Sequence, residues 1–340
     1  MQKVLCFGEI MGRLNPMGHL RIKQAKEYQL SFAGGEANVA VSLANFGCEA
    51  EFLSKIPKND LTEALIRDLK GYDVDLSNMI YGGERLGMYY VEKGASQRPS
   101  MVIYDRKYSS IATAKRSDFD WDKIFEGITW FHFTGITPAL SDDTARITKE
   151  ALLKAKEKKI TVSCDINYRG KLWTTQKANE VMTGLAPYVD ICISNEEDAE
   201  KVFGIHPEGT DITSGSINKE GYESSARQLM ERFSFEKVAF TMRGSLSASD
   251  NTWAGMLYDG KEFFHSKNYQ IHIVDRVGGG DSFAGGLIYA LISEYSNQEA
   301  IDFAVAASCL KHTVEFDYNQ VTVKEVKTLM GGDGSGRVQR

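Results

Sequence analysis

Cysteine is scarce, five in 340 residues, and no two of the five form a CxxC pair, so neither a disulfide framework nor a zinc site is indicated. Cys6, Cys164 and Cys192 fall inside apolar runs that read as strands, which makes them reduced core thiols. A basic surplus is missing too. The 40 Lys and Arg against 46 Asp and Glu leave a net charge of −6, and the basic residues are scattered, which argues against a nucleic-acid footprint. No apolar run approaches the roughly 20 residues of a membrane-spanning helix, and no repeat at solenoid period is present. The opening Met1-Gln2-Lys3-Val4-Leu5-Cys6-Phe7 meets Gly8-Glu9 too soon for a signal peptide and reads as a first strand, so a cytoplasmic protein is expected. That strand ends in Gly8-Glu9-Ile10-Met11-Gly12, which is not the GxGxxG of a dinucleotide-binding oxidoreductase.

What remains is a chain with 42% hydrophobic and 25% charged residues, the balance of a soluble globular protein. Its length suits one large domain, here residues 1–330, with an appendage. Apolar spacing predicts a strand over 3–9, a helix over 34–46, a strand at Phe52 to Ile56 and a helix ending at Gly71. The rhythm resumes with strands at 129–133, 160–166, 189–194 and 236–241. Helices are expected at about 142–157, 175–186, 196–203, 221–232, 281–295 and 298–312. Alternation of this kind gives a doubly wound, mostly parallel sheet with helices on both faces. Residues 13–33 and 86–106 break the pattern and read as short antiparallel strands of a second, small sheet. Leu257 to His265 reads as a hairpin, Pro207 to Gly221 as a surface loop, and Gly331 to Arg340 as a flexible tail.

Polar residues gather after the predicted strand ends, where open α/β sheets bind ligands. The most organised stretch is Val274-Asp275-Arg276-Val277-Gly278-Gly279-Gly280-Asp281-Ser282-Phe283-Ala284-Gly285-Gly286. Three consecutive glycines strip every Cβ from a turn that leads into a helix, so Gly278, Gly279 and Gly280 present converging N–H groups as an anion hole. Asp281 beside it is a helix cap or a proton acceptor. Earlier, Ala33-Gly34-Gly35-Glu36-Ala37-Asn38 opens a helix and puts Asn38 on its first turn, as a cap or as a partner for a polyol hydroxyl. After the strand at 160–166 comes Asp165-Ile166-Asn167-Tyr168-Arg169-Gly170-Lys171-Leu172-Trp173. The planar fork of Arg169 suits a carboxylate or phosphate, or a surface ion pair. Ser194-Asn195-Glu196-Glu197-Asp198 places carboxylates at a helix start, as caps or as holders of the waters around Mg²⁺.

The joint order of these motifs resembles the ribokinase-like (PfkB-type) family of sugar kinases over essentially the whole chain to about Leu329. The stretch from Val274 to Gly286 looks like that family's Asp-x-x-Gly-x-Gly-Asp-x-Phe signature. Within the family, Asp165 to Arg169 with Leu172-Trp173, Gly87-Met88-Tyr89 and Tyr104-Asp105-Arg106 look like the 2-keto-3-deoxygluconate kinases. The resemblance implies ATP with Mg²⁺ as phosphoryl donor, transfer to the terminal hydroxyl of the sugar acid, and Asp281 as the base. It implies a small sheet that closes as a lid and often joins two copies, and it leaves a monovalent cation open.

The residues it implies for the sugar acid are Gly34, Gly35, Asn38, Tyr89, Tyr104, Arg106, Arg169 and Asp281, the arginines answering the acid's charge. For the tyrosines, packing is the alternative. For ATP it implies Asn167, Asn195, Gly278, Gly280 and a turn at Thr241-Met242-Arg243-Gly244, with adenine between that turn and the late helices. Asn195 and Asp198 would meet Mg²⁺ through water. Three positions depart from the family pattern: Ala33 where paired glycines usually begin, Gly279 for the more usual Ala, and Asp198 for a Glu, one methylene shorter. Competing readings are a neutral-sugar kinase of the same family and a silent sugar-sensing protein.

Overall fold

The structure is a computed structural model that describes residues 2–206 and 218–334. Most of the polar loop expected at 207–221 and most of the tail lie outside the described residues. Fifteen strands are described: β1 (Lys3–Phe7), β2 (Met11–Asn15), β3 (Gln29–Ala33), β4 (Glu49–Leu53), β5 (Lys55–Ile56), β6 (Ile80–Tyr81), β7 (Gly87–Glu92), β8 (Met101–Asp105), β9 (Trp130–Thr134), β10 (Thr161–Asp165), β11 (Ile191–Ser194), β12 (Lys237–Ser245), β13 (Asp250–Tyr258), β14 (Phe263–His265) and β15 (Tyr269–His272).

The large sheet has the order β14-β13-β12-β11-β10-β9-β1-β4, with β15 also paired to β13. Strands from β4 to β12 run parallel, and β13 to β15 add an antiparallel edge. Alternation along each strand sends side chains to two cores. Val4 and Cys6 pack with the helices Gly35–Asn45, Gly279–Ile292 and Asn297–Lys311. Leu5 and Phe7 pack on the opposite face, with Asp142–Glu157, Thr175–Leu185 and Lys219–Phe233. Cys6, Cys164 and Cys192 are free and buried, as their strand positions imply. The order in which strands are added reverses between β1 and β9, which is where a crevice opens at the carboxyl ends of a doubly wound sheet.

The second sheet has the order β3-β2-β7-β8. Its hairpins β2–β3 and β7–β8 are antiparallel, as expected, but β2 and β7 pair in parallel. The reason is connectivity: a helix, strands and a second helix intervene between them, and a crossover of that length returns the chain in the same direction.

Other boundaries shift. The expected strand from Phe52 to Ile56 divides into β4 in the large sheet and β5, which pairs with β6. The helix expected from 221 begins at Lys219, and the one expected from 281 begins at Gly279. Thr241 to Gly244 is strand, not turn, because β12 continues in register against β13 as far as Ser245↔Asn251.

Candidate functional site

Two linked cavities meet at the glycine turn. Gly278 caps the helix Gly279–Ile292 in the left-handed region, φ 84°, a conformation that glycine adopts without strain. A Cβ there would stand 2.1 Å from the carbonyl oxygen of Asp317, whereas one at Gly280 would meet nothing within 4 Å. The helix start therefore opens at Gly280, and its N–H groups carry the positive end of the helix dipole.

One cavity is lined by Arg169, Asn195, Asp198, Thr241, Arg243, Arg276, His312 and Gly280, among others. Arg243 and Arg276 face it with their buried Nε atoms unpartnered among the described residues. Burial and then Arg243 lower the pKa of Arg276. Two like charges with unused donors form a receptor for an anion. His312 is held neutral, its pKa lowered by burial to about 4. Thr241 and Arg243 face this cavity; Met242, in alternation, is in the core and Gly244 does not line it, so those two of the four expected contacts point elsewhere.

The other cavity is lined by Gly34, Gly35, Glu36, Asn38, Tyr89, Tyr104, Arg106, Asn167, Arg169, Asp281 and Asp317, among others. Asp281 accepts a 2.6 Å hydrogen bond from Asn38 Nδ2. Burial pushes its carboxyl up to about 6, against the opposing pull of that bond. Asn38 Oδ1 in turn accepts from the Gly34 N–H, so the amide read as a hydroxyl partner is already engaged at both ends.

The expected tyrosines and arginines converge here with altered duties. Tyr89 donates from its hydroxyl to Asp317 and stacks on Tyr104. Arg106 is buried with its Nε 2.7 Å from Glu9 Oε2 and its Nη2 on the same oxygen, while Ser109 holds the other. Its charge is compensated before any ligand arrives. Arg169 is exposed, donates to the Tyr168 carbonyl and touches both cavities; among the described residues it has no ion pair. Asn167, read as an ATP contact, lines the Asp281 cavity instead. It adopts φ 40° and donates to Asp165, leaving a buried Oδ1 without a partner.

Asn195 caps the helix Glu196–Phe203: its Oδ1 accepts from the Asp198 N–H and its Nδ2 donates to Asp198 Oδ2. Asp198 Oδ1 accepts from the Tyr168 N–H, and burial raises the carboxyl to about 6. The helix-capping alternative is thus satisfied in full. Among the described residues no group of three or more His, Cys, Asp or Glu side chains is placed to hold a metal. A resident metal cage does not fit, whereas an ion that arrives with its own waters and phosphates still meets Asp198 and Glu197 at the cavity wall.

Sequence reasoning passed over Glu36, Glu9 and Asp317. Glu36 Oε1 accepts from the Thr134 N–H and from the hydroxyls of Thr134 and Thr137, and burial lifts its carboxyl to about 7. Glu36 lay inside the first glycine motif and Glu9 just after the first strand; an acidic residue at a strand end was the signal. Asp317 lies in a loop with no pattern around it.

Residues 1–320 match the model of the pfkB family carbohydrate kinases, and the chain belongs to that family. It is therefore a sugar kinase with a ribokinase-like fold. Among the proteins it resembles, a crystal structure of 2-dehydro-3-deoxygluconokinase from Thermotoga maritima is 46% identical, with a TM-score of 0.94 over 98% of this chain and 100% of that one. The 2-dehydro-3-deoxygalactonokinase of Haloferax volcanii is 32% identical over 98% of each chain. The 2-dehydro-3-deoxygluconokinase of Bacillus subtilis is 26% identical over 94% of this chain and 92% of its own.

Proposed function

We propose that the chain transfers the γ-phosphoryl of ATP to the terminal hydroxyl of 2-keto-3-deoxygluconate, giving 2-keto-3-deoxy-6-phosphogluconate. The observation that carries this reading is that two consecutive residues, Gly280 and Asp281, line the two cavities, one the arginine-rich side and the other the side lined by Asn38, Tyr89 and Arg106. A phosphoryl group moving between the cavities would pass the bare N–H groups of the turn. The hydroxyl that accepts it would lie against a carboxylate.

Arg243 and Arg276 bind the donor's phosphates, and Thr241 and His312 border the same space. Gly278 and Gly280 offer N–H groups to the charge that builds on the migrating group, while the Gly279 N–H donates to the Arg276 carbonyl within the turn. Asp198, Glu197 and Asn195 would face, through water, the Mg²⁺ that accompanies ATP, and that ion would neutralise phosphate charge. Asp281, aimed by Asn38, orients the sugar hydroxyl and receives its proton late in a loose transition state. Arg169, exposed at the junction and without an ion pair among the described residues, is the cation left to meet the carboxylate of a sugar acid, with Arg106 and the Tyr89–Tyr104 stack on its flank. A neutral sugar gives Arg169 no such partner.

The small sheet acts as a lid that excludes water, the competing acceptor. Its outer face carries Leu30, Leu14, Tyr90 and Ile103 side by side across all four strands, with Leu30 and Ile103 exposed. Such an apolar strip supports a homodimer joined lid to lid. Five free cysteines and an ATP requirement suit action in the cytoplasm.

A coupled ADP-release assay over 2-keto-3-deoxygluconate, its galactonate epimer, fructose and ribose tests the reading. Turnover with the sugar acids at least tenfold above the neutral sugars is expected; preference for a neutral sugar refutes it. The ratio of the two epimers decides between the names that the relatives carry.

A further inference from the structure

Arg13 lies on β2 of the small sheet and is fully buried, an unusual place for a guanidinium whose strand has a ligand cavity beside it. Its Nη2 donates to Asp275 at 2.5 Å and its Nη1 to Asp317 at 2.7 Å. Both partners support the glycine turn. Asp275 opens it, with its Oδ1 accepting from the Val277 N–H and its carbonyl accepting from Lys311 Nζ. Asp317 walls it, since its carbonyl stands where any Cβ on Gly278 would go. Tyr89 from β7 adds its hydroxyl to Asp317. Two cations of the chain, Arg13 and Lys311, thus stand beside the two carboxylates beneath the turn, Arg13 on the carboxylates themselves and Lys311 on the Asp275 carbonyl.

Burying such a set is costly unless its geometry is exact, and removing one partner leaves an uncompensated charge. The set spans two bodies: Arg13 and Tyr89 come from the small sheet, Asp275 and Asp317 from the segments around the turn. We propose that Arg13 is a positioning residue of the phosphoryl-transfer site, which fixes both walls of the turn and so aims the N–H groups of Gly278 and Gly280, making the anion hole complete only while the small sheet lies over the cleft. The inference rests on the kinase reading above. Arg13 does not line the cavity, so its effect falls on turnover and not on sugar affinity.

The test compares Arg13→Met, Arg13→Lys and Lys93→Met with the wild type in ADP-release kinetics and thermal melts. Lys93 ties the same sheet to Glu315 by a salt bridge without touching the turn. R13M is expected to lose about 10- to 100-fold in kcat, less than the loss of an anion-hole donor itself, with the sugar KM within about threefold. R13K keeps the charge but has one nitrogen to serve two carboxylates, so it recovers part of the loss. K93M keeps its kcat. Wild-type turnover in R13M, a loss confined to the sugar KM, or an equal loss in K93M overturns the proposal. If R13M does not fold, R13K decides: a several-fold drop in kcat with an unchanged sugar KM supports the proposal, and full kcat overturns it. A wild type that phosphorylates no sugar, yet binds ATP, overturns the kinase reading itself and this inference with it.

Discussion

Replacing Asp281 by Asn tests the centre of the site, because the change keeps shape and removes only the ability to accept a proton. Positioned general bases are typically worth about 10² to 10⁴ in rate, so D281N is expected to fall within that range in kcat at pH 7, with the sugar KM changed much less. The acid limb gives a second magnitude. Burial lifts the carboxyl to about 6, so it is about nine-tenths ionised at pH 7 and one-tenth at pH 5; wild-type kcat should therefore drop about tenfold between them, and D281N should not. Glu36, raised to about 7, would impose a limb of its own, and only the limb that D281N abolishes belongs to Asp281.

Stability supplies an independent sign. A carboxyl whose native pKa is raised binds its proton more tightly when folded, so its favourable contribution is complete below about pH 4 and is lost as pH rises through 6. An asparagine cannot ionise, so D281N should melt higher than the wild type at pH 8, by up to about 3 kcal/mol in stability, with the gap closing toward pH 4. Melting curves across that range and steady-state rates on the same preparations make the test. D281N within tenfold of wild-type kcat at pH 7, or a wild-type rate flat from pH 5 to pH 8, would refute the argument that this carboxylate takes the proton.

Gly280→Ala and Gly278→Ala should part company although they are two residues apart. G280A has room for its methyl and is expected to fold normally with a raised KM for ATP, whereas G278A puts a side chain on an αL residue and must push the Asp317 carbonyl aside, so it should lose several degrees in melting temperature; equal behaviour in melts would contradict the geometry. Glu9→Gln strips the counterion from buried Arg106 and should destabilise the free protein by about 3 kcal/mol, the usual scale for one broken buried pair. Adding the sugar acid, but not fructose, should restore much of the melting temperature. Leu30→Lys with Ile103→Lys on the outer face of the small sheet should shift the protein to a monomer in sedimentation while leaving its fold intact; an unchanged assembly would place the interface elsewhere.

What was legible in the sequence followed from local rules, and what was not depended on contacts between distant segments. The parallel sheet, its helices and the small second sheet are legible because each element carries its own period of apolar residues; Val4 and Cys6 face one core and Leu5 and Phe7 the other for that reason alone. The glycine turn was legible because three missing side chains are a local fact. Residue duties were less so. Arg106 was read as a cation for the sugar acid without its own counterion in view, because nothing in its own stretch announces Glu9, 97 positions away in the chain. Asn38 was read as a ligand for sugar because its bond to Asp281 spans 243 positions. Arg13 went unread altogether, since a lone arginine in a short strand looks like an exposed edge until Asp275 and Asp317 are brought beneath it. These contacts share a physical cause: an ionisable group's partner is set by which opposite charge reaches it first, and burial at a sheet end brings those charges from remote parts of the chain. Arg169 is the converse case: it is exposed, donates to the neighbouring Tyr168 carbonyl, and has no ion pair among the described residues.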